Sequence, residues 1–211
     1  MIFLIMEIFP CFSTPICVET IDYKFNQSYL DSLKYCKYNN DTGFTTVNQT
    51  ILLEKEFSSV RIQIEEKIND FFFNFLKFNQ GKIKHSLSWI NLHKPTNFAP
   101  PHCHTNSFYS GILYLKYPIN SGKVIFHHPL EFPTYCTTTL KPLVSEFNIF
   151  NSKDWIIEPK DNMLIIFPSH LTHSTELNKS LDNRYSLAFN YFIEGEVGTT
   201  TGKICLTSKI K

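Results

Sequence analysis

The spacing of hydrophobic positions changes once along the chain, near Lys84. Before that point, Phe57, Val60, Ile64, Ile68, Phe71, Phe72 and Phe75 recur every three or four residues, the period of one helical face, and Gly81 follows as a stop. The spacing predicts a helix from about Glu54 to Phe78 that packs its aromatic stripe onto a sheet as plain core. A shorter helix is expected over Ser28 to Tyr38, and a first strand over Ile8 to Val18, around Pro10 and Pro15.

From Lys84 onward the texture becomes short runs rich in β-branched and aromatic residues. Strands are predicted at His85 to Leu92, Phe108 to Tyr117, Lys123 to His128, Met163 to Phe167 and Tyr185 to Ile193. Turn chemistry separates them: Lys94-Pro95-Thr96-Asn97, Pro100-Pro101, Asn120-Ser121-Gly122 and Pro159-Lys160-Asp161-Asn162. Successive strands without intervening helices imply an antiparallel sandwich or jelly roll and not a parallel βαβ sheet. The chain therefore reads as a mainly β (α+β) protein with one domain over 1–211. Its expected parts are a strand and supporting helices over about 1–80, a jelly-roll core over about 84–195 and a tail over about 196–211. Pro129 to Lys153 has no clean period, and a long connection of this kind is expected to cover or wall a site.

Composition narrows the function classes. A chain of 211 residues buries a full core without staples. A net charge of +1, with Lys and acidic residues interspersed, supplies neither a basic face nor an acidic tail and disfavours a nucleic-acid partner. The cysteines (Cys11, Cys17, Cys36, Cys103, Cys136 and Cys205) form no CxxC pair and no dense framework. Free thiols in a reducing cytoplasm are expected, a host's cytoplasm if the gene is viral. The opening MIFLIMEIF lacks a basic flank and a cleavage site and is too short to span a bilayer, so neither a signal peptide nor a membrane is expected, and Met6 is an alternative start. Arg occurs only at Arg61 and Arg184, in a background where Lys is abundant. Each arginine thus invites a reason, because lysine supplies the charge but not the planar fork. The aromatic surplus can serve a homodimer interface as well as a core.

Candidate chemistry begins at PPHCHTNSFYSGILYL, where His102 and His104 lie two apart at the entrance to a strand. Residues i and i+2 of an extended chain share a face, so both imidazoles can converge while Cys103 points away. His173 follows an apolar strand in IIFPSHLTHS, and a third histidine delivered from another strand is what a three-point metal site needs. Arg184, Ser186 and Ala188 then alternate along RYSLAFNYF on one face. A buried guanidinium beside a metal clamps a carboxylate through two charge-assisted hydrogen bonds of about 1.5–3 kcal/mol each.

Taken together, HxH, FPSxLxH and Arg-x-Ser, with SWINL at Ser88 to Leu92, NSFYSGILYL at Asn106 to Leu115, SLAFN at Ser186 to Asn190 and EIFPCFSTPI near the N-terminus, resemble the 2-oxoglutarate- and Fe(II)-dependent oxygenases of marine bacteria and their phages. The likeness runs from about Glu7 to Ile193. It implies a cupin-like double-stranded β-helix, with Fe(II) held by His102, His104 and His173 as the catalytic centre. It further implies that Arg184 binds the distal carboxylate of 2-oxoglutarate, helped by Ser186 and Tyr114, with Ser110 and Asn91 as weaker candidates. Such an enzyme, most simply a hydroxylase, couples O₂ and conversion of 2-oxoglutarate to succinate with oxidation of a substrate, here a small molecule or a protein side chain. His104 stands where the wider superfamily carries a carboxylate; Glu131, Asp161, Glu176 or Asp182 could complete the ligand set.

Two rival readings stay open on sequence: a three-histidine cupin-type dioxygenase that needs no 2-oxoglutarate, and a non-catalytic jelly-roll module of a virion or sugar-binding protein. Of the other histidines, one of His127 and His128 is expected to face inward as a structural residue, His170 to sit at the rim, and His85 and His93 to be ordinary strand-end residues. Trp89 and Trp155 are expected in the core.

Overall fold

The computed structural model describes residues 7–11, 13–38, 42–129 and 143–207. In chain order the elements are β1 (Cys17–Thr20), α1 (Gln27–Ser32), β2 (Tyr35–Lys37), β3 (Phe44–Thr46), α2 (Ser58–Asn69), β4 (Lys82–His93), β5 (Ala99–His102), β6 (Tyr109–Lys116), β7 (Val124–His127), β8 (Asp154–Ile157), β9 (Met163–Pro168), β10 (His173–Thr175), β11 (Arg184–Val197) and β12 (Ile204–Leu206). The larger sheet runs β1-β9-β6-β11-β4-β3-β2, with β12 paired to β11; the smaller runs β5-β10-β7-β8. Every strand pair is antiparallel, as the lack of intervening helices requires. Among the described residues no helix is long and apolar enough to cross a membrane.

Period-2 alternation assigns the two faces of the larger sheet. Leu113 and Leu115 of β6, Leu164 and Ile166 of β9, Leu187 and Phe189 of β11, and Ile90 and Leu92 of β4 pack with Val60, Ile64 and Ile68 of α2 in one core. The intervening residues Ile112, Tyr114, Met163, Ile165 and Phe167 turn the other way and meet Val124 and Phe126 of the smaller sheet in a second core. The sandwich therefore has helices outside one sheet and a cleft between the two.

Three sequence expectations change here. The helix expected to reach Tyr38 stops at Ser32, because Tyr35–Lys37 pairs with Phe44–Thr46 at the sheet edge. A helix of that length is marginal on its own, and ladder hydrogen bonds outweigh it. The first strand begins only at Cys17, not Ile8; Pro10 and Pro15 lack an N–H for a ladder, and Ile8 and Phe9 are exposed. The long helix is composite: a 3₁₀ turn at Lys55–Phe57, then α2, then a π turn at Asp70–Phe75. Consecutive Phe71 and Phe72 both bury in this wider turn, whereas Phe75, placed on the stripe by its spacing, is 67% exposed. The proposed wall from Pro129 to Lys153 falls largely outside the described residues, as do Glu131 and Cys136.

Candidate metal centre and anion pocket

The cleft has a volume of about 580 Å³, within the range of ligand sites. Its floor is written by alternation: Arg184, Ser186, Ala188 and Asn190 of β11 face it, as do Trp89, Asn91 and His93 of β4. The registers set these side by side, Arg184 opposite His93, Ser186 opposite Asn91 and Tyr114, and Ala188 opposite Trp89. The smaller sheet supplies the facing wall through His102 and His173, which are direct partners across β5 and β10.

His102, His104 and His173 come together, each offering a ring nitrogen within 4.8 Å of the others. Their ring centroids lie 4.4, 5.2 and 5.4 Å apart. Every Nδ1 is engaged behind the ring. His102 Nδ1 lies 2.8 Å from the Pro100 carbonyl, His173 Nδ1 3.0 Å from the Leu171 carbonyl and His104 Nδ1 2.7 Å from Asn190 Oδ1. Each partner is an acceptor, so each Nδ1 carries the proton and each Nε2 keeps a lone pair. Burial holds His104 down to about 4, against which the hydrogen bond to Asn190 acts, and holds His173 down to about 3, helped by His102. The pair is thus neutral at pH 7, the form that binds a metal. Three convergent imidazoles suit Fe(II). Among the described residues no carboxylate joins the cluster: Asp161 instead accepts from the Tyr117 N–H and Glu176 from the Lys123 N–H.

At the inner end, Arg184 is 1% exposed. Its Nη1 donates to the carbonyls of Ser121 at 2.5 Å and Gly122 at 2.9 Å, and its Nη2 to His93 Nδ1 and Thr175 Oγ1, both at 2.9 Å. Gly122 is required there: its φ is +94°, and a Cβ would meet the Glu176 carbonyl oxygen at 2.2 Å and Arg184 Nη1 at 3.0 Å. The free two-pronged fork expected for a bidentate clamp is therefore corrected, since all four terminal N–H groups already have acceptors. What remains is a charge with no carboxylate partner among the described residues, a buried Nε without an acceptor, and the unpartnered buried hydroxyl of Tyr114. An uncompensated buried cation beside orphaned donors suits an anion, and these residues fit one carboxylate of 2-oxoglutarate.

The other predicted cofactor residues divide. Ser186 and Asn91 line the cleft, and Asn91 Oδ1 accepts from Tyr38 at 2.6 Å. Ser110 does not line it: its hydroxyl lies behind the wall, 2.8 Å from both Asn190 Oδ1 and Ser169 Oγ. Sequence reasoning missed Tyr38, Thr175, Asn190 and His93; His93 is no ordinary strand-end residue but the buried acceptor for Arg184. Its position on the Trp89-Asn91-His93 alternation was the available signal. Trp89 is not core either. It lines the cleft and stacks on His104 with centroids 5.5 Å apart and planes 23° apart. Trp155 is 45% exposed on edge strand β8. His127 bonds Asp154 through Nδ1 (2.7 Å) and Ser174 through Nε2 (2.9 Å), tying β7 to both neighbours.

The architecture is that of the double-stranded β-helix oxygenases. The Pseudomonas putida prolyl-4-hydroxylase superposes with a TM-score of 0.55 at 12% identity over 87% of this chain and 95% of its own. HygX from Streptomyces hygroscopicus, solved with nickel, 2-oxoglutarate and hygromycin B, gives 0.55 at 10% identity, covering 84% and 82%. A Trichoplax adhaerens prolyl hydroxylase in complex with a hypoxia-inducible-factor peptide gives 0.53 at 12%, covering 84% and 83%. At such identities the likeness establishes the fold. No curated protein matches the sequence. A family profile described as "Putative 2OG-Fe(II) oxygenase" matches residues 87–190, the span from β4 to Asn190 that contains every residue of the cleft named above except Tyr38. Over that span, just under half of the chain, the sequence is similar to the 2-oxoglutarate- and Fe(II)-dependent oxygenases.

Proposed function

We propose that the chain is a hydroxylase in which His102, His104 and His173 hold Fe(II) through Nε2, while Arg184, Tyr114 and Ser186 receive the distal carboxylate of 2-oxoglutarate. The observation that carries this reading is the pairing of opposites in one cleft: three lone pairs at one end, and an unmatched cation with orphaned donors at the other. Fe(II) with 2-oxoglutarate and O₂ supplies the oxidation of a C–H bond coupled to release of succinate and CO₂.

The protein's part is to bind, orient and exclude water. The Nδ1 hydrogen bonds aim the three rings. Arg184, fixed by four acceptors, is a preorganised positive charge that need not move to meet the carboxylate. The Tyr114 hydroxyl donates to the anion, and its burial, which pushes it up to about 12, keeps its proton in place at neutral pH. Ile112 and Ala188 line the cleft between the two ends with apolar surface. Apart from Arg184 and the imidazoles, the described lining holds no Lys, Asp or Glu. The reacting part of the substrate is accordingly uncharged, a small molecule or a protein side chain, with the Trp89 ring as a surface against which it can lie.

Anaerobically purified protein, given Fe(II), 2-oxoglutarate and O₂, is expected to form succinate slowly without added substrate, and this turnover should vanish in His173→Ala. Fe(II) binding without any succinate, across a panel of uncharged substrates, would contradict the proposal and favour direct substrate coordination.

A further inference from the structure

Resting on that ligand assignment, we infer that Asn190 is a positioning residue that fixes the ligating tautomer of His104, and that the buried hydroxyl of Ser110 holds Asn190 in the required orientation. The three imidazoles are not held alike. His102 and His173 give their Nδ1 protons to carbonyls two residues earlier in their own segments, a local arrangement that the backbone enforces. His104 instead depends on a side chain 86 residues away in sequence. That dependence falls on the ligand that replaces the superfamily's usual carboxylate.

Asn190 is 4% exposed, and the β11–β4 register shifts between Asn190 and Tyr191. Such an irregularity re-aims a side chain at the point where a ladder must also continue. The amide could face His104 with either atom, and the two orientations have opposite consequences. With Oδ1 toward the ring, Nδ1 is the donor and Nε2 presents a lone pair to the other imidazoles. Turned around, the amide NH₂ would donate to Nδ1, the ring proton would move to Nε2, and the site would lose a ligand.

Ser110 addresses the same amide oxygen in the first orientation. Ser110 Oγ donates to the same Asn190 Oδ1 at 2.8 Å and lies 2.8 Å from Ser169 Oγ, which in turn lies 2.8 Å from Ser107 Oγ. Ser107 gives its hydrogen to the Tyr109 carbonyl and Ser169 gives its own to Ser107, while the single hydrogen of Ser110 is directed at Asn190 Oδ1. The Trp89 ring covers the face of His104, so edge and face are both fixed. Partners of this kind tune metal affinity by about 10–100-fold when removed. A neutral amide also makes His104 a weaker donor than a carboxylate partner would, which leaves room for gain as well as loss.

The test is a Co(II) titration of metal-free full-length protein, followed by visible ligand-field absorption. Asn190→Leu removes the acceptor at similar size and should lower Co(II) affinity about 10–100-fold. Asn190→Asp, a charged acceptor, should restore or exceed wild-type affinity and shift the absorption, whereas a residue needed only for packing would make a buried Asp at least as harmful as Leu. Ser110→Ala should lower affinity by less than about tenfold, acting only through Asn190. Should the leucine variant not fold, Asn190→Ala introduces no bulk and carries the same expectation. Wild-type affinity in both the Leu and Ala variants, or Asp no better than Leu, overturns the inference. His104→Ala separates this from failure of the underlying reading: if it binds Co(II) as wild type does, His104 is not a ligand, whereas a dead His104→Ala beside an unaffected Asn190→Leu sinks only the role of Asn190.

Discussion

The two ends of the cleft are built to opposite rules. At the metal end every imidazole has its proton tied behind the ring, so the surplus is of lone pairs. At the inner end the surplus is of protons: Arg184 has positive charge without a carboxylate, and Tyr114 has a hydroxyl without an acceptor. The inner end is not at rest energetically, because buried polar atoms left unpaired cost about 1–3 kcal/mol each. On the proposed assignment a cation at one end and an anion at the other would complement both, and a molecule with a chelating group and a distal carboxylate would bridge them. The difference teaches that, on the proposed assignment, the cleft would read the cosubstrate as a dipolar arrangement of ion and acid, with the uncharged space between the ends left for substrate.

The largest break in that comparison comes from deleting a proposed ligand. His173→Ala should weaken Co(II) or Fe(II) binding by more than about 100-fold while the metal-free protein keeps its fold, as a metal titration beside a thermal melt would show. Arg184→Met comes next and attacks the other end. It should lower 2-oxoglutarate affinity about 10–100-fold and, by stranding the carbonyls of Ser121 and Gly122, destabilise the fold by about 2 kcal/mol or more, with metal affinity much less affected. Arg184→Lys should rescue little, since an ammonium cannot satisfy four acceptors in a plane.

Acid should erode the metal end. His104 and His173, held to about 4 and about 3, lie below the unfolded value of about 6.5. In the window between, the unfolded chain binds more protons, so stability is complete above about pH 6.5 and falls as pH drops toward 4. His85, buried with neither ring nitrogen partnered and also held down to about 4 by burial, adds to the slope from outside the cleft. His85→Phe should therefore remove about one proton's worth, about 1.4 kcal/mol per pH unit, from the slope of denaturant-derived stability against pH, and should leave metal binding unchanged.

The smallest effect sharpens the comparison best. Tyr114→Phe should leave metal-free stability equal or slightly higher, because it removes an unsatisfied buried hydroxyl, yet weaken 2-oxoglutarate binding by about fivefold. Opposite signs in stability and affinity are the mark of a group held in readiness for a ligand.

Much of this was legible in the residues. Five strands followed from alternation, and on β11 the same alternation placed Arg184 and Ser186 on the cleft face while sending Leu187 and Phe189 to the helices. HxH and the distant His173 were legible because ligand chemistry needs few residue types. What was not legible depends on contacts between distant segments. The acceptors that occupy the Arg184 fork come from a turn, a strand end and a second histidine, none of which a local pattern connects. Ser110 shares a strand with Tyr114 and the same parity, yet it is drawn behind the wall by Ser169 and Asn190. Trp89 and Trp155 look alike as apolar residues, and only the register separates a cleft wall from an exposed edge. Short strands such as β5 and β10 escaped detection because three or four residues carry too little periodicity.

The most direct test is a 2-oxoglutarate binding isotherm measured anaerobically on three samples: metal-free protein, Co(II)-loaded protein and Co(II)-loaded Arg184→Met. Saturable binding of one 2-oxoglutarate per chain that is tight only in the second sample, with metal retained in the third, is the expected result. Binding of equal strength in all three, or none in the loaded wild type, would contradict a cleft whose two ends hold one cosubstrate between them.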